Sequence, residues 1–296
     1  MGCYIDLHIH SKHSSDGLLT PTEIVIKAKE LNFRTIAIAD HDTISGVEEA
    51  LKSGAYYGIE VIPAIEITTE YNKHFYHVLA YYFDFGNEIF NSLIEDLVVK
   101  RRDRNLFRIK KINEIGLSVP EDIIDEINKG ELIVGPTISK AVVEDYRNQA
   151  HDLICQLKKQ DPKEAYILFY KKFIKVIDKE FAMQRWISVL DAIKKVRMSG
   201  SIPVLAHPGA ELFYADEEAI KMLKENGLMG IEVYSTYHTP EQIDMYKEVA
   251  EKLGLLITGG SDFHGKVKPH IQFGAMKIED YSIVDALKRT KKAFSK

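Results

Sequence analysis

Short runs of β-branched and aromatic residues recur along this chain, and one after another they end in histidine or carboxylate. Residues 4–7 run into His8 and His10, residues 35–39 into Asp40 and His41, and residues 60–64 towards Glu66. Further on, residues 202–206 run into His207, and residues 255–258 lead through two glycines to Asp262 and His264. A short apolar run bounded by polar residues reads as a buried strand, and stretches of helical periodicity separate several of these runs. Alternation of that kind folds as βα units, whose strand ends form the rim that carries chemistry.

The first helix is expected from about Thr22 to Leu31, because Thr20 can cap it, Pro21 suits its first position and Glu23 can reach back to the cap. Residues 75–83 read as a further strand of the same alternation, and 230–234 as another after the gap. Between them, residues 87–180 show long charged and apolar helical periodicity broken at Pro120, Gly130, Gly135-Pro136 and Pro162. The expected organisation is an α/β barrel from 1–86 and 181–296, interrupted by an inserted helical cap at 87–180.

Composition narrows the partners. With 296 residues, 45% of them hydrophobic, the chain can bury one large core or a core plus a subdomain. A net charge of -5 excludes a globally basic nucleic-acid coat but permits local basic patches. Cys3 and Cys155 follow no pairing motif, so a disulfide framework is not expected and a reducing cytoplasm is the default compartment. No uncharged run nears the roughly 18 residues of a membrane span, and no obligate protein partner is evident.

The polar residues at the strand ends are of the types that divalent metals accept. In Asp6-Leu7-His8-Ile9-His10 a period of two puts both imidazoles on one face and Leu7 with Ile9 on the other; alone, such a pair could equally be two histidines facing solvent. Asp16 stands in a turn-like sequence, where an aspartate usually caps. In Asp40-His41-Asp42, His41 reads as a metal ligand and Asp40 as a group that orients a neighbour without touching the ion. Glu66 caps an apolar run and could bridge two ions, His77 lies inside a strand with His74 exposed beside it, and His207 is locked into a turn by Pro208. Asp262 and His264 repeat the two-residue spacing of the opening pair.

These motifs, in this order over residues 4–83 and about 200–275, resemble the polymerase-and-histidinol-phosphatase (PHP) superfamily: His8-x-His10, Asp40-His41, Glu66, His77, Ala206-His207-Pro208 and Ser261-Asp262-x-His264. The resemblance implies a distorted (β/α)7 TIM-like barrel holding two or three divalent ions, with manganese, iron and zinc all acceptable to mixed nitrogen and oxygen donors. It implies that His8, His10, Glu66 and Asp262 hold one ion, Glu66, His77 and His207 a second, and Asp16, His41 and His264 a third. A hydroxide made available by the ions would then attack phosphorus in line, with no protein nucleophile.

The same resemblance points to nucleotide phosphate monoesters, such as AMP or a nucleoside 3′,5′-bisphosphate, or to short oligonucleotides cut from the 5′ end. Its rivals are histidinol-phosphate phosphatase and, as a non-enzyme, a metal-stabilised scaffold. His238 follows a strand end where related chains place a histidine near phosphate, so it is a candidate substrate contact. Arg101, Arg102 and Arg108 lie in a basic run at helical spacing, either a solvated face or a second phosphate site. Gly135-Pro136-Thr137-Ile138 departs from the Gly-Arg-Pro/Thr-His common in relatives, which removes a cationic phosphate contact.

Overall fold

The computed structural model describes every residue except 1–3, 15, 73, 130–132, 211–212, 266–267 and 295–296, and not the side chains of 182–185. Cys3 and Gly130 therefore lie outside the described residues, and Cys155 is a free thiol.

Seven strands form one sheet in sequence order: β1 (Tyr4–Ile9), β2 (Phe33–Ile38), β3 (Glu60–Tyr71), β4 (His74–Tyr81), β5 (Ile202–Leu205), β6 (Gly230–Ser235) and β7 (Leu256–Gly260). The sheet bends round until its last strand meets its first. The His10 N–H donates to the Phe263 carbonyl at 3.0 Å and the Asp262 N–H to the His8 carbonyl at 2.8 Å. Gly260 is required at this seam, since a Cβ there would stand 2.4 Å from the His8 backbone nitrogen. The result is a nearly closed seven-stranded barrel.

Two features distort it. β4 runs antiparallel to both β3 and β5, while the other pairs are parallel. The expectation that residues 75–83 continue the βαβ alternation is thus corrected: β3 extends to Tyr71 and returns directly as a hairpin. The second feature is in β1, where Asp6 pairs with Ile36 but Ile9 with Ile38. One extra residue in β1 is a β-bulge, and it shifts the phase of the strand. Leu7 lies in the barrel interior with Ile5, Ala37 and Leu79, whereas Ile9 packs with Ile24, Val25 and Ile38. Leu7 and Ile9 therefore do not share a face, contrary to strict alternation, and His8 with His10 takes over the side of Leu7.

The helices are α1 (Pro21–Glu30), α2 (Val47–Tyr57), α3 (Glu88–Glu114), α4 (Glu121–Asn128), α5 (Gly135–Glu144), α6 (Asp152–Gln160), α7 (Ala165–Phe169), α8 (Lys175–Arg185), α9 (Val189–Met198), α10 (Glu217–Glu225), α11 (Pro240–Leu253) and α12 (Ser282–Phe294). The expected capping box opens α1, with the Glu23 N–H donating to Thr20 Oγ1 and the Thr20 N–H to Glu23 Oε2. Inside the barrel, Ile5, Leu7, Ile62, Ala64, Leu79, Tyr81, Ile202 and Val204 make a dry core. Full burial of each large side chain stabilises the fold by about 1.5–3 kcal/mol.

The chain divides into two compact units, Met1–Glu95 with Ile187–Lys296, and Asp96–Trp186. The second unit is helical around its own core, which includes Ile112, Leu117, Ile138, Val142, Ile154 and Phe169. No described helix is long and apolar enough to cross a membrane.

Candidate metal centre

Glu66 is fully buried on β3 and meets five imidazoles. Its Oε1 lies 2.7 Å from His77 Nδ1 and 3.0 Å from His207 Nε2. Its Oε2 lies 2.9 Å from His41 Nδ1, 3.2 Å from His10 Nε2 and 3.3 Å from His8 Nε2. The register explains the pairing with β4: Thr68 faces His77 directly, so Glu66, two residues along, shares their face. Asp262 brings Oδ1 to 2.9 Å from His10 Nε2 and 3.3 Å from His8 Nε2. Asp16 brings Oδ1 to 3.2 Å from His264 Nε2 and 3.8 Å from His41 Nε2.

Three groups of donors, each with its atoms within 4.8 Å of one another, could hold a metal ion. They are His8, His10, Glu66 and Asp262; His10, Asp16, His41 and His264; and His41, Glu66 and His77. His10, His41 and Glu66 each join two groups. His207 stands outside all three but touches Glu66. All nine strand-end residues singled out in the sequence thus gather at one end of the barrel.

Whether such residues fit divalent ions is tested by their hydrogen bonding. His41 Nδ1, Glu66 Oε2, His207 Nδ1, Asp262 Oδ1 and His264 Nε2 are buried and make no well-aligned hydrogen bond, although Glu66 Oε2 and Asp262 Oδ1 each have an imidazole nitrogen 2.9 Å away. Each buried polar atom left unsatisfied costs about 1–3 kcal/mol, and such atoms are scattered rarities in folded chains. Four of them, all but His207 Nδ1, belong to residues of the three donor groups, and such a set of lone-pair donors fits a cation cluster. The ionisable groups shift one another: burial lowers the His41 imidazole, but Glu66 and Asp16 beside it hold it up at about 9. Burial pushes the Glu66 carboxyl up, yet His77, His41 and His8 hold it well below the usual range. Burial, with His264 and His41 beside it, pushes His10 down to about 4, which leaves its ring a neutral donor.

Around this ring, further carboxylates hold the ligands in place. Asp6 accepts from the Ser261 N–H at 2.9 Å and its hydroxyl at 2.6 Å, and Asp40 accepts from Ser11 in the same way, at 2.6 Å for both. Each serine adjoins a candidate ligand, Asp262 or His10, so the two aspartates pin the loops that carry them. Burial pushes both carboxyls up to about 6 against the pull of these serines. Asp40 touches Ser11, the residue after the candidate ligand His10. Backbone strain marks the same region: His207 and Asp262 adopt φ of 27° and 54°, conformations that side-chain-bearing residues seldom take.

Sequence reading did not foresee all of the surroundings. Glu232, which a period of two puts on one face of β6 with Tyr234 and which the sequence left open between a role in the site and core packing, touches His8 and the His207 backbone. Lys268 and Tyr237 both reach Asp262, and nothing in their local sequence signals it. Conversely, His238 uses both ring nitrogens on backbone: Nε2 accepts from the Gly209 N–H at 2.9 Å, and Nδ1 faces the Val233 carbonyl at 2.8 Å. That ties it to the His207-Pro208-Gly209 turn in place of a substrate contact. Arg108 is also spoken for. It is buried in the helical unit, with Nε and Nη2 each 2.6 Å from Asp178, so the expected phosphate contact is corrected to an internal ion pair. Arg101 is buried and Arg102 exposed.

A family model described as PHP domain matches residues 6–282. Curated relatives include a phosphoribosyl 1,2-cyclic phosphate 1,2-diphosphodiesterase of Eggerthella lenta, 26% identical over 90% of this chain and 97% of its own length. A 5′-3′ exoribonuclease of Haemophilus influenzae is 28% identical over 88% and 89%. A 3′,5′-nucleoside bisphosphate phosphatase of Chromobacterium violaceum is 25% identical over 88% and 87%. Among solved structures, a candidate metal-dependent phosphoesterase of Bifidobacterium adolescentis superposes with a TM-score of 0.78 at 25% identity, covering 97% of this chain and 96% of its own.

Proposed function

This chain belongs to the PHP domain family and is a metal-dependent hydrolase of phosphate esters; we propose that its substrates are phosphate monoesters of nucleotides, such as AMP or a nucleoside 3′,5′-bisphosphate, or the 5′ ends of short oligonucleotides. The observation that carries this is the gathering of buried imidazoles about three carboxylates, Asp16, Glu66 and Asp262, with four polar atoms of the donor groups left without a well-aligned hydrogen bond. The exoribonuclease and bisphosphatase relatives support the nucleotide part of the reading.

His8, His10, Glu66 and Asp262 would hold one ion, Glu66, His77 and His207 a second, and Asp16, His41 and His264 a third, with manganese, iron or zinc acceptable to this donor set. Bound ions supply an acidified water at neutral pH and positive charge for the phosphoryl oxygens. The chain does the rest. Glu66 faces five rings at once and so sets the spacing of the cluster. Asp6 and Asp40 stop the ligand loops from relaxing, and the dry interior below keeps water to one side. We also take Arg101 and Arg102, in the inserted helical segment 87–180, to be phosphate-binding residues.

A second reading, hydrolysis of a cyclic phosphodiester, is favoured by the Eggerthella relative. The test is a screen of manganese-loaded protein on AMP, a nucleoside 3′,5′-bisphosphate, 5′-phosphorylated oligonucleotides, phosphoribosyl 1,2-cyclic phosphate and histidinol phosphate. A nucleotide should give the highest kcat/KM. Preference for either of the last two by tenfold or more, about 1.4 kcal/mol of transition-state discrimination, would reverse the ranking.

A further inference from the structure

One cation touches the cluster from a part of the chain that no motif marks. Lys268 Nζ lies 3.0 Å from Asp262 Oδ2 and 3.0 Å from the Tyr237 hydroxyl, and that hydroxyl donates to the same Oδ2 at 2.7 Å. Asp262 therefore divides its oxygens. Oδ1 faces His8 and His10, and Oδ2 is held from outside. An ammonium group has three donors, of which these contacts take two. The third is free to bind, and the Lys268 side chain is 26% exposed where Asp262 is only 3% exposed. Tyr237 stacks edge-on to His207 at 5.5 Å, and Phe213 lies 4.1 Å from the His77 ring. The lysine head group thus contacts both a candidate ligand, Asp262, and an aromatic residue, Tyr237, that stands edge-on to another candidate ligand, His207.

We infer that Lys268 is a substrate-binding residue of this site, its remaining N–H holding a non-bridging oxygen of the phosphoryl group, with Tyr237 as the positioning residue that sets the ammonium there. The inference rests on the phosphoesterase reading above and adds the group that recognises the phosphate. The chemistry favours it. A phosphate monoester presents several anionic oxygens, and ions held by the histidines and carboxylates need not satisfy all of them. A lysine contributes a compact point charge that binds phosphate without demanding one planar geometry. The alternative role for Lys268, steadying Asp262 alone, would leave its third donor facing water.

The experiment compares manganese-loaded wild-type protein with Lys268→Met, Lys268→Arg and Tyr237→Phe. Three quantities are read: inorganic phosphate affinity by calorimetry, KM and kcat on the ester that wild type hydrolyses fastest, and manganese content by elemental analysis. Lys268→Met should weaken phosphate binding and raise KM by roughly 10- to 100-fold, the range of a lost charge-assisted hydrogen bond, at unchanged manganese content. Lys268→Arg should recover part of the loss, and Tyr237→Phe should show a smaller one. Phosphate affinity and KM within about twofold of wild type for Lys268→Met would overturn the inference. So would a loss that vanishes at saturating manganese, because steadying Asp262 would then account for it. If wild type turns over no ester, the phosphoesterase reading fails, and phosphate calorimetry still decides the role of Lys268.

Discussion

His8 Nδ1 lies 3.0 Å from Glu232 Oε1, and Glu232 Oε2 accepts the backbone N–H of His207 at 2.8 Å. One fully buried carboxylate on β6 therefore orients two candidate ligands from other strands. With Nδ1 turned to Glu232, the His8 ring presents Nε2 to Glu66 and Asp262. A carboxylate behind an imidazole fixes its tautomer and raises its basicity as a ligand.

Glu232→Gln should accordingly weaken manganese binding by roughly 10- to 100-fold without unfolding the barrel. Calorimetric titration with the metal, alongside circular dichroism, checks this. An affinity equal to wild type would remove Glu232 from the machinery of the site.

Chelation should abolish ester hydrolysis and lower the melting temperature together. The three carboxylates then lack their counter-charge. Manganese restored at about 100 times its Kd should stabilise the protein by about 2.7 kcal/mol. Glu66→Ala, which strips the carboxylate shared by five rings, should cut kcat on the order of 100-fold or more and lower the metal content. Full activity in the presence of excess chelator would contradict the proposed function.

Arg108→Ala should destabilise the protein by about 1–3 kcal/mol, because it removes a two-pronged ion pair from a buried guanidinium while Asp178, 22% exposed, keeps part of its solvation. Arg102→Ala, at an exposed position, should leave the melting temperature within a degree or so of wild type and act on KM alone. Thermal denaturation of the two variants side by side distinguishes them. Equal melting temperatures would mean that the Arg108 pair contributes nothing.

Acid should weaken the packing of α12 through Glu60. Burial raises this carboxyl, but hydrogen bonds from Lys288, Tyr281 and Thr35 win and hold it below its ordinary 4.5. A depressed folded value means that the stabilisation is fully present above the unfolded value and fades as the pH falls through the folded one. Wild type should thus melt higher than Glu60→Gln near about pH 6, and the gap should close below about pH 4. The site is partly exposed, so the effect stays under ~1 kcal/mol. A gap that widens in acid would reverse the sign of the argument.

Much of this molecule follows from residue type and spacing alone. Thr20, Pro21 and Glu23 specify where α1 begins because capping is a contact within one turn of chain. His8 with His10, and Asp262 with His264, declare donors at strand ends because a period of two and a ligand's chemistry are local properties. What only the tertiary structure decided are the contacts between distant segments. The bulge that sends Leu7 and Ile9 to different cores depends on register with β2, and the reversal of β4 depends on pairing with β3 and β5. Glu232, Tyr237 and Lys268 acquire meaning only when β6 and the segment after β7 arrive beside β1, and Arg108 becomes an internal ion pair only when Asp178 folds against it. Sequence names which side chains can bind; which of them share a point in space is set by long-range register, and no local pattern encodes that.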